Sequence, residues 1–317
     1  MKRRILSLTL VLVLLTIGAA SLSGCTSCSR QEMSSSMAPS TLPPVSSLPP
    51  VVSEPDFDIS EPDVSLPEVS VPTTAPAMSA DFAQIGALSK DAVKWGPGVQ
   101  QDDQGRSIAC VGLQEKYGCY NADFIGPNTN RITLTFDQGY ENGFTASILD
   151  TLKEKDVQGV FFITGHYART NPDLIQRMID EGHIVGSHSN NHLNFAECPI
   201  EEAYEDVKSL HDYVRETFNY DMFLFRFPEG AFNEQSLALL QQMGYHSVFW
   251  SFGYQDWDPK NQMGADKAME KITKFLHPGE IMLLHTVGAD NAALLGDLID
   301  TIRDRGFEIG MYEFQQA

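Results

Sequence analysis

From Arg131 onward the chain alternates short apolar runs with segments of helical periodicity, and this alternation constrains the fold more than any other feature. Such alternation indicates α/β architecture with a largely parallel sheet, because each helix carries the chain back to begin the next parallel strand. We predict seven strands, at Ile132 to Phe136, Val160 to Thr164, His183 to Ser187, Met222 to Phe225, Ser247 to Trp250, Ile281 to Leu284 and Phe307 to Met311. We predict six helices between them, at Phe144 to Lys155, Pro172 to Glu181, Ile200 to Thr217, Glu234 to Met243, Ala265 to Leu276 and Asn291 to Arg305. An open doubly wound sheet and a barrel are both consistent with this order.

The N-terminus has the pattern of a bacterial secretory signal. Lys2 to Arg4 precede an apolar run from Ile5 to Ala20, and the following Leu22-Ser23-Gly24-Cys25 resembles the lipobox at which lipoproteins are cleaved and acylated. We therefore expect residues 1–24 to be a signal peptide and Cys25 to carry lipid. The body of the protein is then extracytoplasmic and anchored to the bacterial cell membrane. An uncleaved membrane anchor is the alternative.

A proline-rich stretch separates this signal from the globular part. Ten of the 17 prolines lie between Pro39 and Pro76, among serine, valine and acidic residues. Because proline disrupts helices and paired strands, we predict that residues 25–80 form a disordered, extended linker. We expect residues 81–130 to be an N-terminal extension that packs on the domain formed by residues 131–317.

The charge of the chain excludes one class of partner. A formal net charge of -20 repels the phosphates of nucleic acids, so we expect no nucleic acid to bind. We expect the protein to be a monomer. For Cys110 and Cys119 the sequence leaves open a local disulfide or two free thiols, since it does not fix the distance between them.

Five polar side chains follow five different predicted strands. They are Asp137, His188, Arg226, Asp256 and His285. In barrels of alternating strands and helices, the loops at the carboxyl ends of the strands converge on one mouth. Each residue alone has an ordinary structural explanation, since an aspartate at a strand end often caps a helix. Together they predict an active site.

The spacing of His188 and His192 predicts a metal site. Two imidazoles four residues apart lie on one face if the segment forms a helical turn, and they can then chelate one divalent cation. With Asp137 they form a two-histidine, one-carboxylate group that suits zinc or another first-row metal.

Two further pairings are predicted among the strand-end residues. Asp256 can hold and tune His285 so that its ring keeps a proton near neutral pH, as a general acid requires. Arg226 can pair with Asp137 and keep its carboxylate ionised as a base.

Five segments, in this order along the chain, resemble the motifs of one enzyme family. They are Thr135-Phe136-Asp137-Gln138-Gly139-Tyr140, His188 to His192, Arg226 to Gly230, Asp256-Trp257-Asp258 and Leu283 to Thr286. Residues 131–311 thereby resemble the polysaccharide deacetylases of carbohydrate esterase family 4, the NodB-homology domain. The resemblance is closer to the delta-lactam-biosynthetic, N-acetylmuramic acid deacetylase branch.

The resemblance implies a fold, a reaction and a cofactor. The implied fold is α/β, a distorted (β/α)7 barrel of NodB-homology type over residues 131–317. The implied reaction is hydrolysis of N-acetyl groups of cell-wall glycan, in particular N-acetylmuramic acid of peptidoglycan. The implied cofactor is a divalent metal, zinc first, with cobalt or manganese as alternatives.

By the same resemblance, four residues form the acid–base machinery. Asp137 resembles the general base that activates the attacking water, and Arg226 the residue that orients it. His285 resembles the general acid that protonates the leaving amine, and Asp256 its partner.

The remaining matches concern the metal and the substrate. His188 and His192 resemble the metal ligands. Tyr140 and Trp257 are expected to contact the substrate, with Trp257 as a wall of the acetyl pocket. The backbone N–H of Glu229 is expected to stabilise the oxyanion.

The chain departs from the usual motif at Gln138, where the family has a second aspartate that ligates the metal. A neutral amide is a poorer ligand than a carboxylate, so we expect weaker metal binding, with Gln138 as a further candidate ligand beside His188 and His192. The N-acetylmuramic acid branch carries asparagine there, so an amide is compatible with activity.

Other functions remain open from the sequence. One alternative is a deacetylase of N-acetylglucosamine polymers, or an O-acetyl xylan esterase. Another is a non-catalytic, glycan-binding surface lipoprotein that has lost its metal through Gln138. A tethering lipoprotein would explain only the N-terminal third.

Overall fold

The computed structural model of this protein describes residues 76–314. The predicted signal peptide, Cys25 and the predicted linker as far as residue 75 lie outside the described residues. Across residues 76–314, every helix is too short or too polar to span a lipid bilayer.

One parallel sheet organises the described part of the chain. Its nine strands are β1 (Ala122–Asp123), β2 (Arg131–Gln138), β3 (Val160–Ile163), β4 (Ile184–Ser187), β5 (Leu224–Phe225), β6 (His246–Val248), β7 (Phe252–Gly253), β8 (Glu280–His285) and β9 (Glu308–Ile309). The strand order is β1-β6-β5-β4-β3-β2-β8-β7, with β9 pairing with the start of β2. The sheet curls into part of a barrel, and its two end strands β1 and β7 do not pair with each other.

Helices cover the outer face of this sheet. They are α1 (Phe82–Ile85), α2 (Ile108–Tyr117), α3 (Thr145–Glu154), α4 (Gly165–Thr170), α5 (Pro172–Asp180), α6 (Ile200–Phe218), α7 (Glu234–Gln242), α8 (Ala265–Lys274) and α9 (Ala289–Asp304), with 3₁₀ turns at Gly118–Tyr120 and Pro228–Gly230. The six helices predicted from residue 131 onward are all present, with ends displaced by at most two residues. Helix α4 was not predicted, because six residues are too few to show helical periodicity.

The predicted strand at Ser247 to Trp250 is wrong at its end. Strand β6 stops at Val248, and the chain then crosses from one end of the sheet to the other. The N–H of Phe249 donates to the carbonyl oxygen of Asp123 at 2.8 Å, and that of Ser251 donates to Ile281 at 2.9 Å. An apolar run that bridges the gap between sheet ends has the same composition as a buried strand, so the sequence pattern did not separate the two.

Alternation along β2 decides which side chains face the barrel interior. Ile132, Leu134 and Phe136 pack with the helices in the main hydrophobic core. The side chains between them point into the barrel interior. There Nη1 of Arg226 donates a hydrogen bond to the hydroxyl oxygen of Thr135 at 2.8 Å. Because each neighbour in sequence faces the opposite side, Asp137 continues the inner row.

The segment before residue 131 contributes directly to this core. Strand β1 pairs with β6, and Trp95 packs edge-on against Phe124 and Phe249 with ring centres 5.4 and 5.5 Å apart. Val93 forms an antiparallel bridge with Phe232. These contacts supply the sheet with its end strand.

The cysteines of the described chain are free. Cys110 is buried, Cys119 is exposed and Cys198 is partly buried, without a disulfide among them. Of the two alternatives left open for Cys110 and Cys119, the structure has the free thiols.

Candidate active site

The strand-end residues meet at one cleft on the carboxyl edge of the sheet. The cleft has a volume of about 820 Å³, which suits a ligand the size of one or two sugar rings. Four of the predicted site residues supply its polar floor: Asp137, His188, His192 and His285. Arg226 and Asp256 are buried behind them, at 0% and 1% exposure.

Asp137 and Arg226 form a buried ion pair. Nη1 of Arg226 donates to Oδ1 of Asp137 at 3.0 Å, while Nε and Nη2 donate to the carbonyl oxygens of Val248 and Phe249. Burial of Asp137 opposes its ionisation, but the positive charge of Arg226, with His188 and His285 nearby, outweighs burial and lowers the pKa of Asp137. The second carboxylate oxygen is thus left ionised and free to accept a proton.

The segment that carries His188 and His192 is not a helical turn, so the geometry assumed in the sequence analysis is wrong. Ser189 and His192 have left-handed φ angles of 70° and 56°, and the turn is held by the buried carboxylate of Asp206 on α6. That carboxylate accepts the hydroxyl of Ser189 at 2.5 Å and the backbone N–H groups of the next two residues at 2.9 Å each. The two imidazoles still face one another, with ring centres 5.0 Å apart.

The donor set at this turn fits a divalent cation. Nδ1 of His188 lies 2.8 Å from the carbonyl oxygen of Arg226, which can only accept, so the ring proton sits on Nδ1. Burial lowers the pKa of His188 to about 4 and favours the neutral ring. Nε2 of His188 then carries a lone pair and lies 3.6 Å from Oδ2 of Asp137. Both atoms are acceptors, so a cation or a proton bound between them would stabilise this arrangement.

The protein supplies few ligands of its own at this point. No three His, Cys, Asp or Glu side chains within residues 76–314 converge as a ready-made metal site. The imidazoles of His188 and His192 are therefore the candidate metal ligands, and Asp137 lies beside them.

Gln138 lies on the helix-facing side of β2 and does not line the cleft. Its Oε1 accepts the hydroxyl of Thr286 at 2.7 Å, and that hydroxyl lies 2.9 Å from the hydroxyl of Thr145. Its Nε2 has no hydrogen-bond partner in the described chain. The role of Gln138 as a ligand stays a prediction, and its observed contacts are those of a residue that holds Thr286, next to His285.

His285 is held by a buried carboxylate. Nδ1 of His285 lies 2.7 Å from Oδ1 of Asp256, and the backbone N–H of His285 donates to Oδ2 at 2.8 Å. Burial disfavours the charged ring, but the charge and hydrogen bond of Asp256 outweigh burial and raise the pKa of His285. The ring therefore keeps a proton above the usual range, with Nε2–H left to face the cleft, which the ring lines.

Aromatic side chains form the walls of the cleft. Tyr140 and Trp257 are 42% and 54% exposed, unusual values for large apolar residues, and the Trp257 ring centre lies 6.1 Å from that of His285. Glu229 also lines the cleft and holds a left-handed φ of 57°. Exposed aromatic faces of this kind suit sugar rings, whose C–H faces are apolar.

Two positioning residues were missed from the sequence. Asp206 holds the His188 turn, and Asn291 donates from Nδ2 to Asp256 at 2.6 Å and to the carbonyl oxygen of His285 at 2.9 Å. The sequence does contain a signal for Asp206, because this residue lies on the apolar face of α6 between Ala203 and Leu210. A carboxylate on a buried helix face needs a hydrogen-bond partner, which predicts a positioning role. Asn291 offers no such signal.

Comparison with known proteins agrees with this geometry. The sequence profile of the polysaccharide deacetylase family matches residues 125–248. PdaA, a peptidoglycan-N-acetylmuramic acid deacetylase of Bacillus subtilis (strain 168), is 37% identical over 236 residues, which cover 73% of this chain and 88% of the relative. An uncharacterised 30.6 kDa protein of Geobacillus stearothermophilus is 42% identical over 197 residues, or 62% of this chain and 73% of the relative.

The solved structure of Bacillus subtilis PdaA, a family 4 carbohydrate esterase, aligns with a TM-score of 0.67 at 36% identity, covering 70% of this chain and 96% of that one. This match confirms the predicted α/β fold of distorted-barrel type. The family comprises metal-dependent hydrolases that act on carbon–nitrogen bonds other than peptide bonds. By sequence and by fold, this chain belongs to the polysaccharide deacetylase family.

Proposed function

We propose that this protein is a metal-dependent deacetylase that removes the N-acetyl group of muramic acid in peptidoglycan. The observation that carries the proposal is that one cleft brings together Asp137, which is ion-paired with Arg226, and His285, which is hydrogen-bonded to Asp256, beside the imidazoles of His188 and His192. Similarity to PdaA over 236 residues supports the choice of sugar.

Asp137 acts as the general base in this proposal. Because Arg226 occupies Oδ1 and keeps the carboxylate ionised, Oδ2 accepts the proton of the attacking water. A divalent cation held by His188 and His192, zinc by the preference of imidazole donors and otherwise cobalt or manganese, would polarise the acetyl carbonyl and lower the pKa of water.

His285 acts as the general acid. The water oxygen forms a bond to the acetyl carbon, the carbon–nitrogen bond breaks, and Nε2–H of His285 protonates the departing nitrogen, so that acetate and a free amine leave. Asp256 stabilises the positive charge of the ring and accepts a hydrogen bond from its Nδ1–H, so that Nε2–H faces the cleft. Glu229 and Trp257 both line the cleft. We expect the backbone N–H of Glu229 to stabilise the oxyanion and the ring of Trp257 to form a wall of the acetyl pocket.

Acetate release from purified protein tests the proposal. We expect no release after chelation and recovery on adding zinc, cobalt or manganese, with peptide-free peptidoglycan glycan as substrate. Asp137→Asn is expected to reduce release by roughly a hundredfold or more while the protein stays folded. Release only from N-acetylglucosamine oligomers or acetylated xylan would move the assignment to those glycans, and binding without release from any substrate would indicate a lectin.

The place of action is proposed from the N-terminal sequence. The charged start, the apolar run and Leu22 to Cys25 support secretion and acylation of Cys25, with the protein held at the outer face of the cell membrane. Labelling with a radioactive fatty acid is expected to mark the protein, and Cys25→Ser is expected to abolish the label. A labelled Cys25→Ser protein would contradict this assignment.

A further inference from the structure

A second groove opens beside the active-site cleft. We call it the Arg169 groove; it is bounded by Tyr140, His166, Arg169, Asn190 and His192 and has a volume of about 470 Å³. It shares Tyr140 and His192 with the cleft, so the two spaces meet at the candidate metal ligand. A group attached to a sugar in the cleft is therefore within reach of this groove.

The guanidinium of Arg169 is held in place at the groove. Its Nη1 donates to the carbonyl oxygen of Gly165 and to Oδ1 of Asn190, both at 2.8 Å, and the group lies over the ring of Tyr213 at 4.8 Å. Gly165 is needed for this packing, because a Cβ there would lie 2.7 Å from the backbone oxygen of Asn190 and would also displace Oδ1 of Asn190 and Nη1 of Arg169. The side chain is thus positioned before any ligand arrives.

The guanidinium keeps donors for a ligand. Nε and Nη2 of Arg169 make no hydrogen bond to any other described residue, and the side chain is exposed. An arginine with an unused edge is suited to bind a carboxylate through two parallel hydrogen bonds.

Charge is distributed unevenly between the two spaces. Among the described residues that line them, Arg169 is the one Lys or Arg, and the Arg169 groove has no Asp or Glu in its lining. The cleft carries the carboxylates of Asp137 and Glu229, in a chain whose net charge is -20. An anionic substituent is repelled by most of this surface and attracted at Arg169.

We propose that the Arg169 groove is a subsite for a carboxylate of the peptidoglycan strand and that Arg169 determines preference for carboxylate-bearing substrates. The inference rests on the proposed function. Muramic acid differs from glucosamine by a lactyl ether, which ends in a carboxylate in peptide-free glycan and in an amide when the stem peptide is attached. The stem peptide brings carboxylates of its own, so both sources offer the same chemistry.

Kinetics with three substrates test the subsite: peptide-free glycan, stem-bearing glycan and N-acetylglucosamine oligomers. For Arg169→Gln we expect the ratio of KM on carboxylate substrate to KM on neutral oligomer to rise about tenfold, with kcat nearly unchanged, because charge-assisted hydrogen bonds to substrate are lost. Arg169→Lys keeps the charge and is expected to restore part of the preference. Arg303→Gln removes one positive charge from a residue that lines neither space and is expected to leave the ratio unchanged.

The two glycan arms identify the carboxylate. A raised ratio on peptide-free glycan alone assigns the lactyl carboxylate, and a raised ratio on stem-bearing glycan alone assigns the stem. An equal rise in KM on all three substrates, or no rise on any, overturns the proposal, since Arg169 then only holds Asn190. Thermal unfolding of each variant separates loss of folding from loss of binding.

Failure of the proposed function is distinguishable. If the wild-type protein releases no acetate from any substrate, the proposed function fails, and calorimetric binding of the same three glycans still decides the subsite. Tighter binding of the carboxylate glycans that is lost in Arg169→Gln supports it, and equal binding of all three by both proteins overturns it.

Discussion

Asp137 and Gln138 are neighbours in β2, yet strand alternation sends their side chains to opposite faces of the sheet. Asp137 reaches the cleft, whereas Gln138 reaches the hydroxyl of Thr286 among the helices. In this geometry the replacement of the usual aspartate by glutamine places a neutral group in a buried position, where an unpaired carboxylate would be costly.

Gln138→Met is predicted to leave metal affinity within about twofold of the wild-type value, because the Gln138 side chain contacts Thr286 and does not line the cleft. A thioether is a poor zinc ligand, so a contribution of the amide to metal binding would show as a loss of affinity. The free energy of unfolding is expected to change by less than about 1 kcal/mol, since the substitution removes one hydrogen bond together with one unpartnered buried N–H group. Metal titration followed by chemical unfolding measures both. His192→Ala is the positive control, and an equal loss of affinity in both variants would make Gln138 a ligand.

Activity is predicted to fall, on the alkaline side of its pH profile, as the pH passes the pKa of His285. The ring must carry a proton to act as an acid, and Asp256 raises its pKa above the ordinary value of 6.5 against the effect of burial. Activity is therefore retained below the raised pKa and lost as pH rises through it. In Asp256→Asn the charge is gone, so this limb is expected to move to lower pH, while the acid limb set by Asp137 stays in place.

Profiles of kcat against pH for the wild-type protein and for Asp256→Asn measure the position of the alkaline limb. Asn291 donates to Asp256 and to the carbonyl oxygen of His285, so Asn291→Ala serves as a control that loosens the same site without removing the charge. An unmoved alkaline limb in Asp256→Asn would assign the acid to another group.

At the scale of elements, helix α6 supports the candidate metal site through Asp206. Its carboxylate pairs with Ser189 and with the two residues that follow. Asp206→Ala is predicted to cost about 2–4 kcal/mol in the free energy of unfolding, because several buried donors lose their acceptor. Metal affinity is predicted to fall roughly 10- to 100-fold as the turn that carries His188 and His192 loosens.

Calorimetric unfolding and metal titration check these values, with Glu205→Ala on the exposed face of the same helix as the matched control. That variant is expected to stay within about 0.5 kcal/mol of wild type. Asp206→Ala with full metal affinity would show that the turn is set by its own backbone.

Elements with a long apolar pattern were predicted, and the two-residue strands β5 and β9 were predicted only as parts of longer apolar runs. Helix α6 and strand β8 bury one face or both over many residues, so their patterns are visible in the sequence. Strands β1 and β7 have two residues each, too few to show a period of two. Their existence depends on partners distant in the chain, which no local pattern encodes.

The same reasoning explains how much of the site was predictable. The strand ends of a parallel sheet lie together by topology, so Asp137, His188 and His285 were expected to meet. The left-handed turn around Ser189 depends on a carboxylate from a helix that follows it, and its geometry was therefore not predictable from the spacing of the histidines.

At the scale of the whole molecule, the segment from residue 76 to 130 supplies the end strand β1 and covers the open side of the sheet. The sheet is open between β1 and β7, and the chain that connects β6 to β7 crosses this gap. Trp95 packs on this connection, because its ring contacts that of Phe249 and lies 5.0 Å from that of Trp250. Trp250 also lines the cleft. The extension therefore contributes both to the core and to the wall behind the active site.

Trp95→Ala is predicted to lower the free energy of unfolding by roughly 2–4 kcal/mol, because a large ring is removed from a cluster that joins the extension to the barrel. Unfolding is expected to remain a single transition, since β1 belongs to the same sheet as β2 and β8, which carry Asp137 and His285. KM is expected to rise more than kcat falls, as Trp250 loses its support while the contacts of Asp137 and His285 are unchanged. Val99→Ala is the control, because Val99 is 80% exposed. Two separate unfolding transitions in Trp95→Ala would instead make the extension an independent unit that only rests against the barrel.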